Sequence, residues 1–242
     1  VERLGLEKAD AVIAVSGFTK NILIREYGIR EDKIHVVHNA IDQSLYSFDV
    51  DSSNEFVQLK HKGLKIVLFV GRITLQKGPE YFVKVAERVL PYEPKTLFVM
   101  AGSGDMEHDV MNLAAHNKIS DKLLFTGFLR DRELSKMYKS SDLYVMTSVS
   151  EPFGITALES IIHGTPILVS KQTGVSEVVQ NALKADFWDI DEMVNQIVAV
   201  LRYEPLQATL RQNGMSEVGR LNWRGTAAKC LQLYRQLATR PA

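Results

Sequence analysis

An open parallel β-sheet wound with helices on both faces is the fold class this sequence predicts, on three observations. Short apolar runs alternate with amphipathic stretches of helical period along most of the chain. Four of those runs exit into loops carrying glycines, cations or paired acids, where ligands bind in such sheets. The 242 residues, 45% of them apolar, supply enough core for one large or two small domains.

The first run, Ala11-Val12-Ile13-Ala14-Val15, reads as a buried parallel strand. Ser16 then caps a helix over 19–27, and Gly28 stops it. A second strand covers 34–38. Residues 41–63 are mixed and polar without a period, which suits a linker with one weak helix. From Gly63 onward the rhythm sharpens. Strands at 66–70, 96–101, 123–126, 143–146 and 167–170 are each followed by a helix, at 79–90, 105–116, 132–140, 154–162 and, briefly, 175–180. Helices over 191–203, 205–218 and 223–238 close the chain. No internal repeat or low-complexity tract is visible.

Composition narrows the function. Lys plus Arg equals Asp plus Glu, so no global basic field attracts nucleic acid and any affinity for anions is local. The lone Cys230 excludes an intramolecular disulfide framework and a cysteine-rich zinc site; a small buried hydrophobe on the last helix is its expected state. No His/Asp/Glu spacing favours a metal. No apolar run reaches the length of a membrane span and no secretory core opens the chain. A start at Val1 suggests an excised piece of a longer protein.

The chemistry gathers at the strand exits. Glu151-Pro152-Phe153-Gly154-Ile155-Thr156-Ala157-Leu158-Glu159 sets two carboxylates eight positions apart, one in a loop and one more than a turn into a helix. Gly154 lets that helix N-terminus approach a ligand and present free N–H groups. Gly71-Arg72-Ile73-Thr74-Leu75-Gln76-Lys77-Gly78 places two cations before a helix. Arg72 as a fork and Lys77 as a mobile point charge suit a diphosphate, although both could be solvated surface charges. At Ala101-Gly102-Ser103-Gly104-Asp105, the small Gly102 could admit a ligand to the backbone, or Ser103 or Asp105 could simply cap a helix. Gly127-Phe128-Leu129-Arg130-Asp131 could wall a base, or be a turn capped by Asp131. His163 reads as a helix C-terminal cation, and Trp188 and Trp223 as packing anchors.

Taken together, these segments resemble the donor-binding half of a retaining GT-B glycosyltransferase of family 4. The resemblance rests on 9–16, Val37-His38-Asn39-Ala40-Ile41-Asp42, Val70-Gly71-Arg72 with Lys77-Gly78, Ala101-Gly102-Ser103-Gly104, Gly127-Phe128-Leu129, Ser141-Asp142-Leu143 and the paired-acid segment. It implies that 1–41 ends an N-terminal acceptor domain, 42–63 links, 64–222 binds a nucleotide-diphosphate sugar in a Rossmann-like domain, and 223–242 crosses back. Arg72, Lys77 and Glu151 would be catalytic. Gly71, Gly102, Phe153, Gly154, Ile155 and Glu159 would bind substrate, Glu159 at the ribose. Leu129, Arg130 and Leu134 would border the base. The nucleotide-sugar would be a substrate, with no metal and no cofactor. The missing N-terminal acceptor domain would be the partner, leaving an apolar patch on Trp223 and the helix after it, and the isolated piece would bind nucleotide but transfer little sugar. The base, hexose and acceptor stay open. The parent would be cytoplasmic, with peripheral association at the inner membrane face undecided. Asn39-Ala40 and Thr173-Gly174 depart from the family's usual Asn-Gly and Gly-Gly, so the loop over 171–176 would meet the sugar differently. A sugar-nucleotide 2-epimerase of the same fold and a non-catalytic nucleotide-binding module are the alternatives.

Overall fold

The computed structural model describes residues 2–46 and 55–239. A first helix, α1 (Glu2–Lys8), precedes a small parallel pair, β1 (Val12–Ala14) and β2 (Ile34–Val36), joined through α2 (Gly17–Arg25). Ser16 caps α2 by accepting from the Thr19 amide, and Gly28 adopts φ +67 where the chain turns away. Val12, Ala14, Ile29 and Ile34 form a satellite core under this pair. The three-residue strands are shorter than the sequence pattern suggests, α2 starts two residues earlier than expected, and α1 was not legible in the sequence.

The main unit begins with α3 (Glu55–His61) and β3 (Lys65–Val70), followed by α4 (Pro79–Val89), β4 (Thr96–Ala101), α5 (Glu107–His116), β5 (Leu123–Gly127), α6 (Asp131–Ser140), β6 (Leu143–Met146), α7 (Ile155–Ile162) and β7 (Ile167–Ser170). A final strand β8 (Leu183–Ala185) and helices α8 (Ile190–Arg202), α9 (Glu204–Val218) and α10 (Trp223–Ala238) complete it. Among the described residues the strands form one all-parallel sheet in the order β5-β4-β3-β6-β7-β8. The chain winds outward from β3 to β5, then returns to lay β6 on the other side of β3. The crevice at that reversal, beyond the carboxyl ends of β3 and β6, is where a doubly wound sheet accepts a ligand.

Alternation along the strands builds two cores. Val67 and Phe69 face α4, α5 and α8, where Phe69, Phe82 and Phe98 pack with successive ring centroids 5.6 Å apart. Ile66 and Leu68 face the opposite way, onto Met137, Tyr138, Leu158 and Ile161 of α6 and α7. Burial on both faces explains the unbroken apolar runs. Residues 175–180 hold only one short 3₁₀ turn, Gly174–Glu177, in place of the expected helix. The strand β8 escaped the sequence reading because Leu-Lys-Ala on a sheet edge has no apolar run. None of the described helices is long and apolar enough to cross a membrane.

Several side chains depart from expectation. Trp188 is 58% exposed and Trp223 47%, so neither anchors packing in this structure. Leu231 and Tyr234, on the same helix as Trp223, are exposed too. Cys230 is free and only half-buried, since α10 buries a single side chain, Leu233. Helix α10 touches the segment after β2 through Thr226 Oγ1, which donates to His38 O at 3.0 Å.

Gly102 shows what the glycine-rich exit of β4 is for. A Cβ on it would lie 1.9 Å from the Gly71 carbonyl oxygen, so two exit loops meet backbone to backbone. Gly102→Ala should therefore cost about 3 kcal/mol of stability by forcing those loops apart. Gly5→Ala, in open space on α1, should be neutral or gain up to about 1 kcal/mol. Chemical denaturation of the two variants checks both.

Candidate functional site

Three exit loops converge at the sheet reversal, held by backbone hydrogen bonds. Gly71 N donates to Ala101 O at 3.0 Å, Ile73 N to Ser103 O at 3.0 Å and Gly102 N to Gly127 O at 2.8 Å. The loop after β3 is stitched just as closely to the loop after β6. The buried Thr147 hydroxyl donates to Gly78 O at 2.7 Å, Val149 N to Gln76 O at 3.0 Å and Gln76 Nε2 to Ser150 O at 3.0 Å. Gly78, in the left-handed region at φ +61, permits that contact; a Cβ there would meet Thr147 O at 2.3 Å.

This stitching sets Lys77 against Glu151. Lys77 Nζ forms an ion pair with Glu151 Oε2, the side chains being 20% and 11% exposed. Glu151 is thus neither a surface acid nor free: its N–H donates to Gln172 O at 3.0 Å and its C=O accepts from Gly174 N at 3.1 Å. Arg72 contrasts with Lys77. It is exposed and has no side-chain partner among the described residues.

A cavity of about 480 Å³ lies beside these loops. The sequence-selected Gly71, Arg72, Gly102, Leu129, Leu134 and Glu159 line it. So do Thr156, which the sequence reading passed over, Ser103, weighed there only as a cap, and Phe128, named there only within the turn that could wall a base. Phe128 is 66% exposed, and Arg130 stacks its guanidinium 5.1 Å from the ring centroid instead of lining the cavity. An aromatic residue following an exit glycine was the available signal for Phe128. Asp131 does not cap α6. It is the first helical residue, at φ +42, behind Arg130 at the cap position. Helix α5 likewise starts behind Met106, with no side-chain cap from Ser103 or Asp105.

The helix that carries the second of the paired acids begins as its sequence suggests. Gly154 takes φ +103 before α7, and neither its N–H nor that of Ile155 meets an acceptor among the described residues. Phe153 turns its ring into the core, 2% exposed, leaving only backbone to a ligand; Ile155 is 36% exposed. Lys77, Glu151, Phe153, Gly154 and Ile155 stand outside the cavity lining, next to it along the reversal. Lys77 bridges the two groups, since its aliphatic stem passes about 3.8 Å from where a Gly71 Cβ would be.

Glu159 is not an exposed helix residue. Its carboxylate accepts from two phenols, Tyr46 at Oε1 and Tyr138 at Oε2, each at 3.0 Å. Burial, and then the Glu159 charge, push Tyr46 up to about 12 and Tyr138 well above the usual phenol range. His163 corrects an expectation: it is no helix-end cation. It is 8% exposed, stacks on Tyr138 with centroids 5.3 Å apart, and its Nδ1–H donates to Glu159 O at 2.7 Å. Burial lowers its pKa below 6.5, so the ring is neutral, and among the described residues Nε2 has no hydrogen-bond partner.

The loop over 171–176 faces the small sheet. Ser16 Oγ donates to Pro152 O at 2.6 Å, and the Glu177 carboxylate accepts from Gly17 N at 2.8 Å and Phe18 N at 2.6 Å, with His38 Nε2 3.2 Å away. Its charge thereby serves the positive end of α2. A Cβ on Gly174 would lie 2.6 Å from Ser16 Cβ, so the departure from Gly-Gly keeps the glycine that this docking needs. Among the described residues no group of three or more His, Cys, Asp or Glu is placed to hold a metal ion.

Comparison with known proteins shows which family the chain resembles. A family model described as glycosyl transferases group 1 matches residues 51–217, and one described as glycosyltransferase family 4 matches 1–45. An uncharacterized glycosyltransferase of Methanocaldococcus jannaschii is 36% identical over 187 residues, covering 75% of this chain and 47% of the relative. The mannosylfructose-phosphate synthase of Agrobacterium fabrum is 27% identical, covering 93% of this chain and 52% of that protein. Among solved structures, sucrose-phosphate synthase from Thermosynechococcus elongatus aligns with a TM-score of 0.80 at 26% identity, over 98% of this chain and 60% of that one. The chain spans about half the length of the curated relatives it matches.

Two outcomes follow from the site's electrostatics. Lys77→Met and Glu151→Gln should each destabilise more than their combination implies, with a coupling of roughly 0.5–3 kcal/mol in a double-mutant cycle. His163 binds fewer protons folded than unfolded, so stability is greatest above pH 6.5 and falls as pH drops toward its lowered folded pKa. His163→Gln should flatten that acid limb, as read by urea midpoints across pH.

Proposed function

This chain belongs to the glycosyl transferases group 1 family, in a GT-B arrangement, and on that premise we propose that it binds a nucleotide-diphosphate sugar for retaining hexosyl transfer. One observation carries the reading. Arg72 and the amides before α7, unpaired among the described residues, and a carboxylate held ready at Glu159 gather around one crevice where the sheet reverses. Cation, acid and helix N-terminus in that order suit a ligand with a diphosphate between a ribose and a sugar.

The roles follow from charge. Glu159 accepts from the ribose hydroxyls, and Leu129, Leu134 and Gly102 border the nucleoside. Arg72 forks onto the diphosphate. Lys77 shares its charge between the diphosphate and Glu151, which brings that carboxylate beside the sugar. Backbone N–H groups of Gly154 and Ile155 meet the distal phosphate or the sugar hydroxyls. When the glycosidic bond breaks, negative charge grows on the leaving diphosphate. Lys77 and the α7 N-terminus, fixed beforehand, and the exposed Arg72, which closes onto the diphosphate, offset it without a metal. Transfer itself uses an acceptor surface supplied by the remainder of a longer protein.

Calorimetric titration with UDP, GDP and ADP, metal-free and then with Mg²⁺, tests the reading. One diphosphate should bind without metal, and Arg72→Ala or Glu159→Ala should each weaken it roughly 10- to 100-fold. Glu151→Ala should act only on the nucleotide-sugar. Binding indifferent to both Arg72→Ala and Glu159→Ala, or no binding at all, would remove the proposal.

A further inference from the structure

We infer that Tyr46 is a positioning residue: its phenol fixes the plane of the Glu159 carboxylate for a vicinal diol and ties the segment between the two sheets to the nucleoside end of the crevice. The inference rests on the reading of Glu159 as the ribose-holding acid.

A glutamate's terminal torsion is soft and roughly two-fold, so one anchored oxygen leaves the carboxylate free to pivot. Here each oxygen has its own donor. Tyr138, fully buried on α6, holds Oε2, and its ring is locked between Tyr144 and His163. Tyr46 holds Oε1 from outside the sheet, 113 residues away in sequence. Each oxygen keeps a further lone pair. A carboxylate pinned at both ends with acceptors to spare is a bidentate receiver for two adjacent hydroxyls.

The surroundings leave this task to the phenols. His163 lies against both tyrosines, edge-on to Tyr46 with centroids 5.8 Å apart, but its one ring hydrogen goes to Glu159 O. It therefore offers the carboxylate none. Neither phenol ionises near neutrality, so both remain donors at working pH. A second cavity of about 380 Å³ lies on the Tyr46 side and shares Glu159 and Leu134 with the first. Glu159 is thus the wall between two hollows, and among the described residues Tyr46 is the donor that holds its Oε1 from that side.

The test measures a coupling between one protein hydroxyl and the ligand's diol. The tightest binder among UDP, GDP and ADP, and its 2′,3′-dideoxy counterpart, are titrated against wild type, Tyr46→Phe and Glu159→Gln. Tyr46→Phe should bind the ribonucleotide about tenfold more weakly yet bind the dideoxynucleotide within about twofold of wild type. The unchanged dideoxy affinity also shows that the variant is folded. Equal losses on both ligands would mean a merely structural tyrosine and overturn the inference. No loss would overturn it as well, and a gain would mean that the phenol competes with the diol. Glu159→Gln separates the two levels. If it erases the difference between ribo and dideoxy ligands while Tyr46→Phe does not, only Tyr46 loses its role. If the difference survives Glu159→Gln, the ribose reading falls and takes the inference with it.

Discussion

Two loops pressed together at the point where a parallel sheet reverses its winding are the constraint on which the rest of this molecule depends. The exits of β3 and β6 leave adjacent strands in the same direction, and hydrogen bonds from Thr147, Val149 and Gln76 hold them together. Lys77 and Glu151 are neighbours because of that stitching, although 74 residues separate them. A largely buried ion pair contributes little net stability by itself. Its charges are nonetheless fixed in place before any ligand arrives, which is the condition under which electrostatics can favour a transition state.

The glycines read differently once the packing is visible. Gly102 and Gly104 suggest, as sequence, a backbone bared for a ligand. The structure shows their missing side chains replaced by the Gly71 and Ile73 carbonyls of the neighbouring loop. Both statements hold at Gly102, which also lines the cavity. The small residue first lets two loops meet, and the crevice is what their meeting leaves open.

The central strands were legible because burial on both faces demands unbroken apolar runs, and no other soluble element of that length reads so plainly. The exits were legible because glycines, cations and acids stand next to those runs. What escaped was set by distant partners. Nothing local to Tyr46 or Tyr138 signals that each donates to the same carboxylate, and nothing local to His163 signals a tyrosine stacked on it. Its place at a helix end, beside Gly164, suggested a charge that burial does not allow. Trp188 misled in the opposite sense, since size alone favours burial; Trp223 is no packing anchor either, but its exposure with Leu231 and Tyr234 matches the apolar patch that the family resemblance implied for the last helix. The edge strand β8 failed for want of apolar residues, being recruited by its neighbour β7 and not by its own pattern.

The contact between Gly174 and Ser16 has a consequence for how the molecule could be controlled. Glu177 and Pro152 grip the start of α2, and the grip closes only because position 174 has nothing to put in the way. A single methyl there would work as a wedge against Ser16 and, at 2.3 Å, against the Pro152 carbonyl, so it would strain the joint between the small sheet and the large one together with the segment that carries Glu151. The distance between the halves would then become a variable set by the bulk of one residue. A graded series from glycine through alanine to valine would turn a fixed joint into an adjustable one, with small-angle scattering as the ruler.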